Sequence, residues 1–378
     1  MIKALENLSD RITVNYEGEP CYDIVFSKDF SEIGNELKKF NIENKKLCIV
    51  TESNVGPLYA EQLKNELEPL CKKIIIHEFK AGEENKHVGT VEDIYETLIV
   101  NKFDRNDMLL ALGGGVTGDI TGFAAATYLR GIDFVQVPTT LLSQVDSSIG
   151  GKTGVDFKAY KNMVGAFYMP KLVYMNLSTL NSLPEREYLE GMGEIIKHGL
   201  IRDKEYFYWL KENKDKIISR DYETVKKMIF VSCNIKRVVV ENDPKEKGER
   251  AVLNFGHTIG HAVEKAKNFS LLHGECVAIG MAAATYISLK KGNIAEKEYN
   301  EINNVISDFK LPVYTTGILA SAQSSVTDGS EEACTRLIII TSTPVVMKFL
   351  IWFICSPWSF LPSIMLMFSF LTPNSLTR

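Results

Sequence analysis

An apolar run that ends in three glycines constrains the fold of this chain more than any other stretch. Residues 109–112 are Leu-Leu-Ala-Leu, residues 113–115 are all glycine, and the small residues of 119–129 favour a helix. Glycine has no Cβ, so its backbone can approach a bulky anion, and the N-terminus of a following helix adds free N–H groups and a partial positive charge. The stretch therefore predicts a turn that holds a pyrophosphate. It departs from the dinucleotide pattern G-x-G-x-x-G, and a tight turn without a ligand is the alternative.

Length and composition are those of an ordinary globular protein with more than one domain. The chain has 378 residues, which favours two domains, with 45% hydrophobic and 24% charged residues. A net charge of −5 argues against a nucleic-acid binder that relies on a basic surface. The seven cysteines form no C-x-x-C pair and residues 1–10 lack an apolar signal core, so we expect free thiols and a cytoplasmic location.

Strand and helix patterns alternate along the first half of the sequence. Apolar runs of strand length occur at residues 47–51, 73–79, 108–112 and 133–137. This alternation predicts an α/β domain over residues 1–180, a Rossmann-like parallel sheet with helices on both faces, preceded by a hairpin at 11–26. Ligands of such sheets bind at the carboxyl ends of strands, where Glu52, Glu83 and Lys86 are expected beside the glycines.

The sequence pattern changes after about residue 180. Residues 181–318 show helical spacing, with no convincing strand pattern between 183 and 308, and predict an α-helical domain. Residues 319–378 form an apolar tail of a different character, without a charged residue from 349 to 377.

Histidines cluster in the helical domain. His257 and His261 are four residues apart and so share one helix face, His273 follows, and Glu194 is the best available carboxylate. Such residues are ligands of catalytic zinc, although solvated or core histidines are the plainer interpretation of any one of them. By residue type alone, His257 and His261 are the favoured pair of ligands. Together with the glycine turn and several basic residues, the cluster indicates a nicotinamide enzyme that acts on an alcohol carbon of an anionic substrate.

A second glycine-containing segment precedes Lys152. Two glycines lie directly before this lysine, and Lys161 and Asn162 follow shortly after. The segment lacks the first glycine of the G-x-x-x-x-G-K-[ST] pattern, so it does not predict an NTPase. We expect an anion site here, with solvated lysines as the alternative.

Seven motifs, in order and spacing, carry a resemblance to a known family between about residues 11 and 318. The motifs are 113–119 (GGGVTGD), 138–142 (PTTLL), 145–153 (VDSSIGGKT), 161–162 (KN), 191–198 (GMGEIIKH), 253–261 (LNFGHTIGH) and 272–275 (LHGE). Together they resemble the 3-dehydroquinate synthases. The resemblance implies an NAD-dependent lyase of the shikimate pathway that uses Zn²⁺ or Co²⁺. Its substrate would be a phosphorylated sugar acid, 3-deoxy-arabino-heptulosonate 7-phosphate, and its products 3-dehydroquinate and phosphate.

The same resemblance implies a role for each matching residue. The metal ligands would be Glu194, His257 and His273, which moves His261 into the substrate site. Asp146, Lys197 and Asn254 would bind the substrate hydroxyls, and Lys236 and Arg250 its carboxylate. The phosphate would be bound by Lys152 and Asn162 and, in a homodimer, by Arg130 of the partner subunit. The NAD contacts would be Glu52, Asn54, Glu83, Lys86, Gly114, Gly115, Val116, Thr117, Gly118, Asp119, Thr139, Thr140, Lys161, Thr179 and Leu180.

The tail departs from the family pattern after about Ile318. The Asp-Lys-Lys motif that carries a further phosphate-binding lysine in the family is absent. The apolar run is long enough for a membrane span of about 20 residues, but a shifted reading frame or an assembly artefact is the preferred hypothesis and a membrane anchor the alternative. If the tail is real, weakened or absent activity is expected. The competing functions are another sugar-phosphate cyclase, a metal-dependent polyol dehydrogenase and an inactive relic.

Overall fold

A computed structural model describes residues 9–158 and 160–316, together with the backbone of two short strands at 337–340 and 348–351. Alternating strands and helices make up the first half. Its strands are β1 (Arg11–Tyr16), β2 (Glu19–Ser27), β3 (Lys46–Glu52), β4 (Lys73–Phe79), β5 (Met108–Gly113), β6 (Asp133–Pro138), β7 (Lys152–Phe157), β8 (Tyr160–Phe167) and β9 (Leu172–Asn176). Its helices are α1 (Ile33–Lys38), α2 (Gly56–Leu67), α3 (Val88–Val100) and α4 (Gly115–Thr127).

Seven of these strands form one sheet in the order β1-β2-β9-β6-β5-β3-β4. β1 and β2 pair antiparallel, which confirms the predicted hairpin, and the remaining neighbours pair parallel. β4 lies on one side of β3 and β5 on the other, so the direction of winding reverses between β3 and β5. In open α/β sheets, ligands bind at the carboxyl ends of strands beside such a switch point.

The central strands carry apolar side chains on both faces because both faces are covered. On β3, Leu47 and Ile49 pack into a layer that includes α1 and α2, whereas Cys48 and Val50 pack into a layer that includes α3 and α4. Successive side chains of a strand point to opposite faces, so a strand between two layers has no polar face. Fully burying one such aliphatic side chain stabilises a fold by roughly 1.5–3 kcal/mol.

The second half is helical, as predicted, and residues 183–308 contain no strand. The helices are α5 (Glu185–Arg202), α6 (Lys204–Glu212), α7 (Lys214–Ile218), α8 (Tyr222–Asn242), α9 (His257–Ala266), α10 (His273–Lys290) and α11 (Glu296–Asp308). Aspartates cap two of them: Asp203 accepts from the Tyr206 N–H at the start of α6, and Asp221 from the Thr224 N–H at the start of α8. These caps satisfy backbone donors that have no partner within the helix.

The chain divides into two compact units. The first comprises Met1–Gly191 and Asp215–Lys245, and the second comprises Met192–Lys214 and the part of the chain from Glu246 onward. The predicted division into domains at 1–180, 181–318 and 319–378 is a different one and stays a prediction.

Three elements of the first unit differ from the sequence-based expectation. Helix α4 begins at Gly115 and not at Asp119, because the third glycine already belongs to the helix. β7 and β8 form a separate antiparallel hairpin, and β9 adds a buried strand to the sheet; neither was predicted. The hairpin escapes a pattern search because β8 alternates irregularly between exposed and half-buried residues.

Most of the apolar tail lies outside the described residues, and so do the expectations about it. Only the backbone of an antiparallel pair is described there, β10 (Leu337–Ile340) with β11 (Lys348–Ile351). Across the described part of the chain, no helix combines the length and the hydropathy that a membrane crossing requires.

Candidate functional site

Three potential metal ligands from three helices meet in the second unit. Glu194 lies within α5, whereas His257 and His273 are the first residues of α9 and α10. Glu194 Oε1 lies 3.5 Å from His257 Nε2 and 3.8 Å from His273 Nε2. The structure thus brings together three residues that are far apart in sequence and all of metal-binding type.

A glycine adjoins each of these three residues and lets the helix backbones touch. A Cβ on Gly193 would lie 2.7 Å from the carbonyl oxygen of Gly274. Gly256 has a φ of +83°, a conformation that residues with a side chain rarely adopt. A Cβ on Gly280 would overlap the carbonyl oxygen of Gly256. Because no side chain fits at these contacts, the glycines set the spacing of the helices that carry the ligands.

The charges in this cluster favour the protonation states that bind metals. The Glu194 side chain is fully buried and forms an ion pair through Oε2 with Lys197, which is 1% exposed. Burial by itself would raise the pKa of Glu194, but Lys197 and the two imidazoles outweigh it and hold that pKa well below its usual range. Burial and the Lys197 cation lower the pKa of His257 to about 3. Glu194 is therefore a carboxylate and His257 a neutral imidazole near pH 7.

The residues fit a divalent metal. Among the residues that the structure describes, Glu194 Oε1 has no hydrogen-bond partner, and leaving such a buried acceptor unpaired costs about 1–3 kcal/mol. Two ligand atoms bound to a tetrahedral zinc ion lie about 3.4 Å apart, close to the two distances measured from Oε1. One carboxylate and two imidazoles leave a fourth position open, which is typical of catalytic rather than structural zinc.

His261 lies beside this group. Its ring centroid is 5.3 Å from that of His257 and 5.9 Å from that of His273. The group that contains Glu194 takes His273 and not His261, so the pairing favoured from residue type alone differs from the observed arrangement. Helix spacing correctly placed His257 and His261 on one face of α9, but it could not predict a residue contributed by another helix.

Two further predicted residues precede α9 in the second unit. Arg250 is 3% exposed, and Asn254 is exposed and donates through Nδ2 to Glu246 Oε1 at 3.2 Å. A buried guanidinium keeps its positive charge and can bind a carboxylate in a bidentate manner.

In the first unit, the glycine turn lies at the carboxyl end of β5, next to the switch point. Gly113 ends the strand, Gly114 caps α4 and Gly115 begins it. A Cβ on Gly114 would lie 3.2 Å from Thr140 Cγ2, and one on Gly115 would lie 2.9 Å from Ser147 Oγ. None of the three has a positive φ. They are therefore needed for space at the helix N-terminus and not for an unusual turn.

Threonine hydroxyls line this turn. Thr117 and Thr139 are 0% and 3% exposed, and their Oγ1 atoms have no hydrogen-bond partner within the described residues. Thr140 Oγ1 bonds to Ser143 Oγ at 2.9 Å, and Thr179 Oγ1 donates to the Asn176 carbonyl oxygen at 2.8 Å. Buried hydroxyls without a partner at a helix N-terminus fit a phosphate-bearing ligand.

A buried lysine joins two elements of the first unit. Lys86 Nζ lies 2.7 Å from Asp119 Oδ2 and donates to Asn162 Oδ1 at 2.6 Å. Burial by itself would lower the pKa of Lys86, but Asp119 and Glu83 raise it. Burial raises the pKa of Asp119 to about 6, although Lys86 opposes this shift. Lys161 also lies 3.5 Å from Glu83, so the hairpin β7–β8 and the loop after β4 are held together by charge.

The remaining predicted NAD contacts of the first unit lie at or after strand ends. Glu52 ends β3 and accepts from the Asn54 and Val55 N–H groups at 2.7 and 3.1 Å, so its carboxylate also stabilises the turn into α2. Leu180 is buried, at 1% exposed, in the short helical turn after β9. Val116 and Gly118 lie in the first turns of α4.

Asp146 and Lys236, predicted to bind different groups of one substrate, form an ion pair within the first unit. Lys236 Nζ also donates to the Asp146 backbone carbonyl at 2.6 Å. Lys152 is exposed at the start of β7. Arg130 lies past the far end of α4, a helix about 20 Å long at 1.5 Å per residue. The structure therefore does not bring Arg130 to the glycine turn of its own chain.

Sequence reasoning missed the role of the hairpin and a carboxylate near the histidines. The hairpin positions Asn162, whose N–H donates to Asp156 Oδ1 at 2.7 Å and whose φ is +55°. Glu264, one turn after His261 on α9, is 6% exposed. A carboxylate three residues after a histidine on a helix was the available signal for it.

Comparison with known sequences identifies the family. Residues 76–190 match the family described as 3-dehydroquinate synthase N-terminal, and residues 191–328 match that described as 3-dehydroquinate synthase C-terminal. A 3-dehydroquinate synthase of Acetivibrio thermocellus is 46% identical over 318 residues, which are 84% of this chain and 86% of that relative. The chain belongs to the 3-dehydroquinate synthase family. The resemblance carried by the seven motifs is thereby confirmed.

Solved structures of related cyclases share this fold. A 2-deoxy-scyllo-inosose synthase in complex with carbaglucose-6-phosphate, NAD⁺ and Co²⁺ is 26% identical, with a TM-score of 0.72 over 81% of this chain and 83% of its own. A 2-epi-5-epi-valiolone synthase of Streptomyces hygroscopicus with bound NAD⁺ and Zn²⁺ is 28% identical, with a TM-score of 0.73 over 80% of this chain and 84% of its own. The predicted combination of a mostly parallel α/β part with a helical part is confirmed.

For a member of the 3-dehydroquinate synthase family, the two clusters described above have complementary chemistry. The glycine turn with its unpartnered threonine hydroxyls suits a dinucleotide, and the Glu194 cluster suits a divalent ion. In both clusters of this chain, glycines provide the space in which the surrounding backbone and side chains approach.

Proposed function

We propose that this chain converts 3-deoxy-arabino-heptulosonate 7-phosphate into 3-dehydroquinate and phosphate, in the shikimate pathway. The observation that carries the proposal is the buried Glu194 carboxylate, of which one oxygen is paired with Lys197 and the other faces two imidazoles. This arrangement suits a catalytic metal with an open position. The identity of 46% with a curated 3-dehydroquinate synthase supports this reaction over those of other cyclases.

Two cofactors belong to the proposal. Glu194, His257 and His273 would hold Zn²⁺ or Co²⁺, and the glycine turn with the side chains named above would hold NAD. When bound, NAD supplies a transient hydride acceptor and the metal supplies Lewis acidity. Related cyclases with NAD⁺ and Co²⁺ or Zn²⁺ support the assignment.

The chain's own residues would bind the substrate by both ends. Lys236 and Arg250 would bind the carboxylate. Lys152 and Asn162, together with Arg130 of the partner subunit, would bind the phosphate. The ring and its hydroxyls would contact Asp146, Lys197, Asn254 and His261. Lys236 is held by the side chain and the backbone carbonyl of Asp146, so its orientation is fixed before the substrate arrives. Such positioning converts binding energy into rate, because the reacting groups need no further ordering.

The proposed reaction class is that of a carbon–oxygen lyase. Phosphate leaves the substrate, while the hydride taken up by NAD is returned within the same turnover. The cycle therefore ends with no net change in NAD.

The test of the proposed function is phosphate release by the purified chain with NAD⁺ and Zn²⁺ supplied. Phosphate without net NADH is the expected result, with a His257→Ala variant as the inactive control. Net NADH without phosphate would instead indicate a polyol dehydrogenase. Turnover of glucose 6-phosphate in place of the sugar acid would indicate another cyclase. We expect kcat/KM to be weakened by the missing Asp-Lys-Lys lysine, and addition of a family-type tail should restore it.

We further propose a cytoplasmic homodimer. The cysteines that the structure describes are free thiols, in keeping with a reducing compartment. The hairpin β7–β8 exposes four large apolar side chains, Phe157, Tyr160, Met163 and Phe167, by 49–69%. Exposed large apolar side chains of this kind are typical of a protein–protein contact.

Substitution of Met163 by lysine is expected to shift the protein from dimer to monomer. Met163 is 69% exposed, so the change does not disturb the core, but it places a charge within the proposed contact. Light scattering coupled to size-exclusion chromatography measures the mass. Ile99→Lys, at a position 63% exposed on α3, is the matched control and should leave the dimer intact. An unchanged mass for Met163→Lys would exclude the hairpin as the interface.

A further inference from the structure

The second unit holds more metal-binding side chains than one zinc ion uses. The ring centroids of His257 and His261 lie 5.2 and 5.9 Å from that of His273, and two buried carboxylates, Glu194 and Glu264, belong to the same region of the unit. A catalytic zinc takes three protein ligands and keeps one position open. The site proposed above uses Glu194, His257 and His273. His261 and Glu264 are additional donors.

These additional donors form a group of their own. His261 and Glu264 are three residues apart on α9, so they lie on one face of the helix. Together with His273 they offer ligand atoms that all lie within 4.8 Å of one another. Glu264 is 6% exposed, whereas His261 is exposed. The buried Glu264 carboxylate favours a nearby positive charge, and the exposed His261 gives an ion access from solvent.

We propose that His261, Glu264 and His273 form a second, weaker site for Zn²⁺ or a similar divalent cation. Two imidazoles and one carboxylate are a ligand set that suits zinc, cobalt, nickel and copper. The two sites share His273, so with both ions bound this side chain would bridge them as an imidazolate, with one ring nitrogen on each ion, after its N–H proton has passed to solvent. The inference rests on the proposed function in this respect, since the first site is defined by that proposal.

The second ion binds more weakly and inhibits. It binds beside a dication that is already present, and Coulomb repulsion between them opposes it. Occupation of His261 removes this side chain from the substrate, so a large excess of zinc lowers the rate of an enzyme that one equivalent of zinc activates.

The test is a zinc titration of the metal-free chain, with Zn²⁺ as the only added ligand and bound metal measured by mass spectrometry after equilibrium dialysis. We expect one zinc ion per chain at low free zinc and a second ion at higher free zinc. In Glu264→Gln, the apparent affinity for the second ion should fall by about 10–100-fold or more, because the variant loses a charged donor. His257→Ala should lose the first ion and retain the weak one.

Two results would overturn the inference: a single zinc ion per chain at every concentration, or a second ion that Glu264→Gln binds as well as the unchanged chain does. Should Glu264→Gln fail to fold, His261→Asn at an exposed position serves the same purpose. The measurement is separate from the assay of function. A chain that binds two zinc ions but releases no phosphate contradicts only the proposed function. A chain that releases phosphate but binds no second zinc ion at any concentration contradicts only this inference.

Discussion

The Glu194→Gln variant is expected to purify without a bound divalent metal and to release no phosphate. Glutamine keeps the shape of the side chain but replaces the charged oxygen that faces His257 and His273 at 3.5 and 3.8 Å. Residues outside the ligand shell already change metal affinity by 10–100-fold, so loss of a charged ligand should reduce it by more than about 100-fold. Bound zinc after dialysis is the measurement.

The same variant should also be less stable, for a reason that a second variant isolates. Lys197 is 1% exposed and loses its ion-pair partner, and breaking a buried pair costs about 3–5 kcal/mol. The double variant Glu194→Gln/Lys197→Met removes both charges. Its melting temperature should therefore return most of the way to that of the unchanged chain, but it should still bind no zinc. Stoichiometric zinc in Glu194→Gln would remove Glu194 from the ligand set. A double variant that melts as low as the single one would show that the lost pair is not the cause of the instability.

The second large effect is expected from Gly280→Ala. A Cβ at this position overlaps the carbonyl oxygen of Gly256, and backbone cannot rotate away as a flexible side chain does. We expect a loss of about 3 kcal/mol, at the upper end for overpacked sites. The shift separates α9 from α10, which begin with His257 and His273, so zinc affinity should fall together with the melting temperature.

Gly89→Ala is the matched control for this change. Gly89 also lies in a helix, α3, and an added Cβ would meet only the His87 ring at 3.1 Å. This contact is with a side chain and not with backbone, so the control should lose much less melting temperature than Gly280→Ala does. An unaltered melting temperature and zinc content in Gly280→Ala would mean that the close contact of α9 and α10 is not required for the metal site.

Much of the fold could be predicted because burial leaves a periodic trace in the sequence. β3 and β5 lie between two helical layers and carry apolar runs at residues 47–50 and 108–112, and this marks them as central parallel strands. The hairpin β7–β8 leaves no such trace. It pairs outside the main sheet and exposes Tyr160 and Met163, so neither alternation nor continuous apolarity reveals it.

The candidate site divides in the same way. The glycine turn is local, and a strand followed by glycines and a helix indicates its chemistry within a dozen residues. The metal cluster is not local, because Glu194 and His273 are separated by nearly eighty positions and meet only through the packing of three helices. Helix periodicity paired His257 with His261, which are indeed near each other, but it carries no information about α10. The ordered set of motifs, and not helix spacing, pointed to His273 as the third proposed ligand.

The glycines that adjoin the three proposed metal ligands limit how this protein can change over evolutionary time. At Gly193, which faces the backbone of Gly274, any larger residue adds atoms to occupied space. At such positions every substitution is strongly destabilising, so none of them can be accepted. A change of substrate would therefore have to come from side chains around the cluster, while the glycines that space the helices stay unchanged.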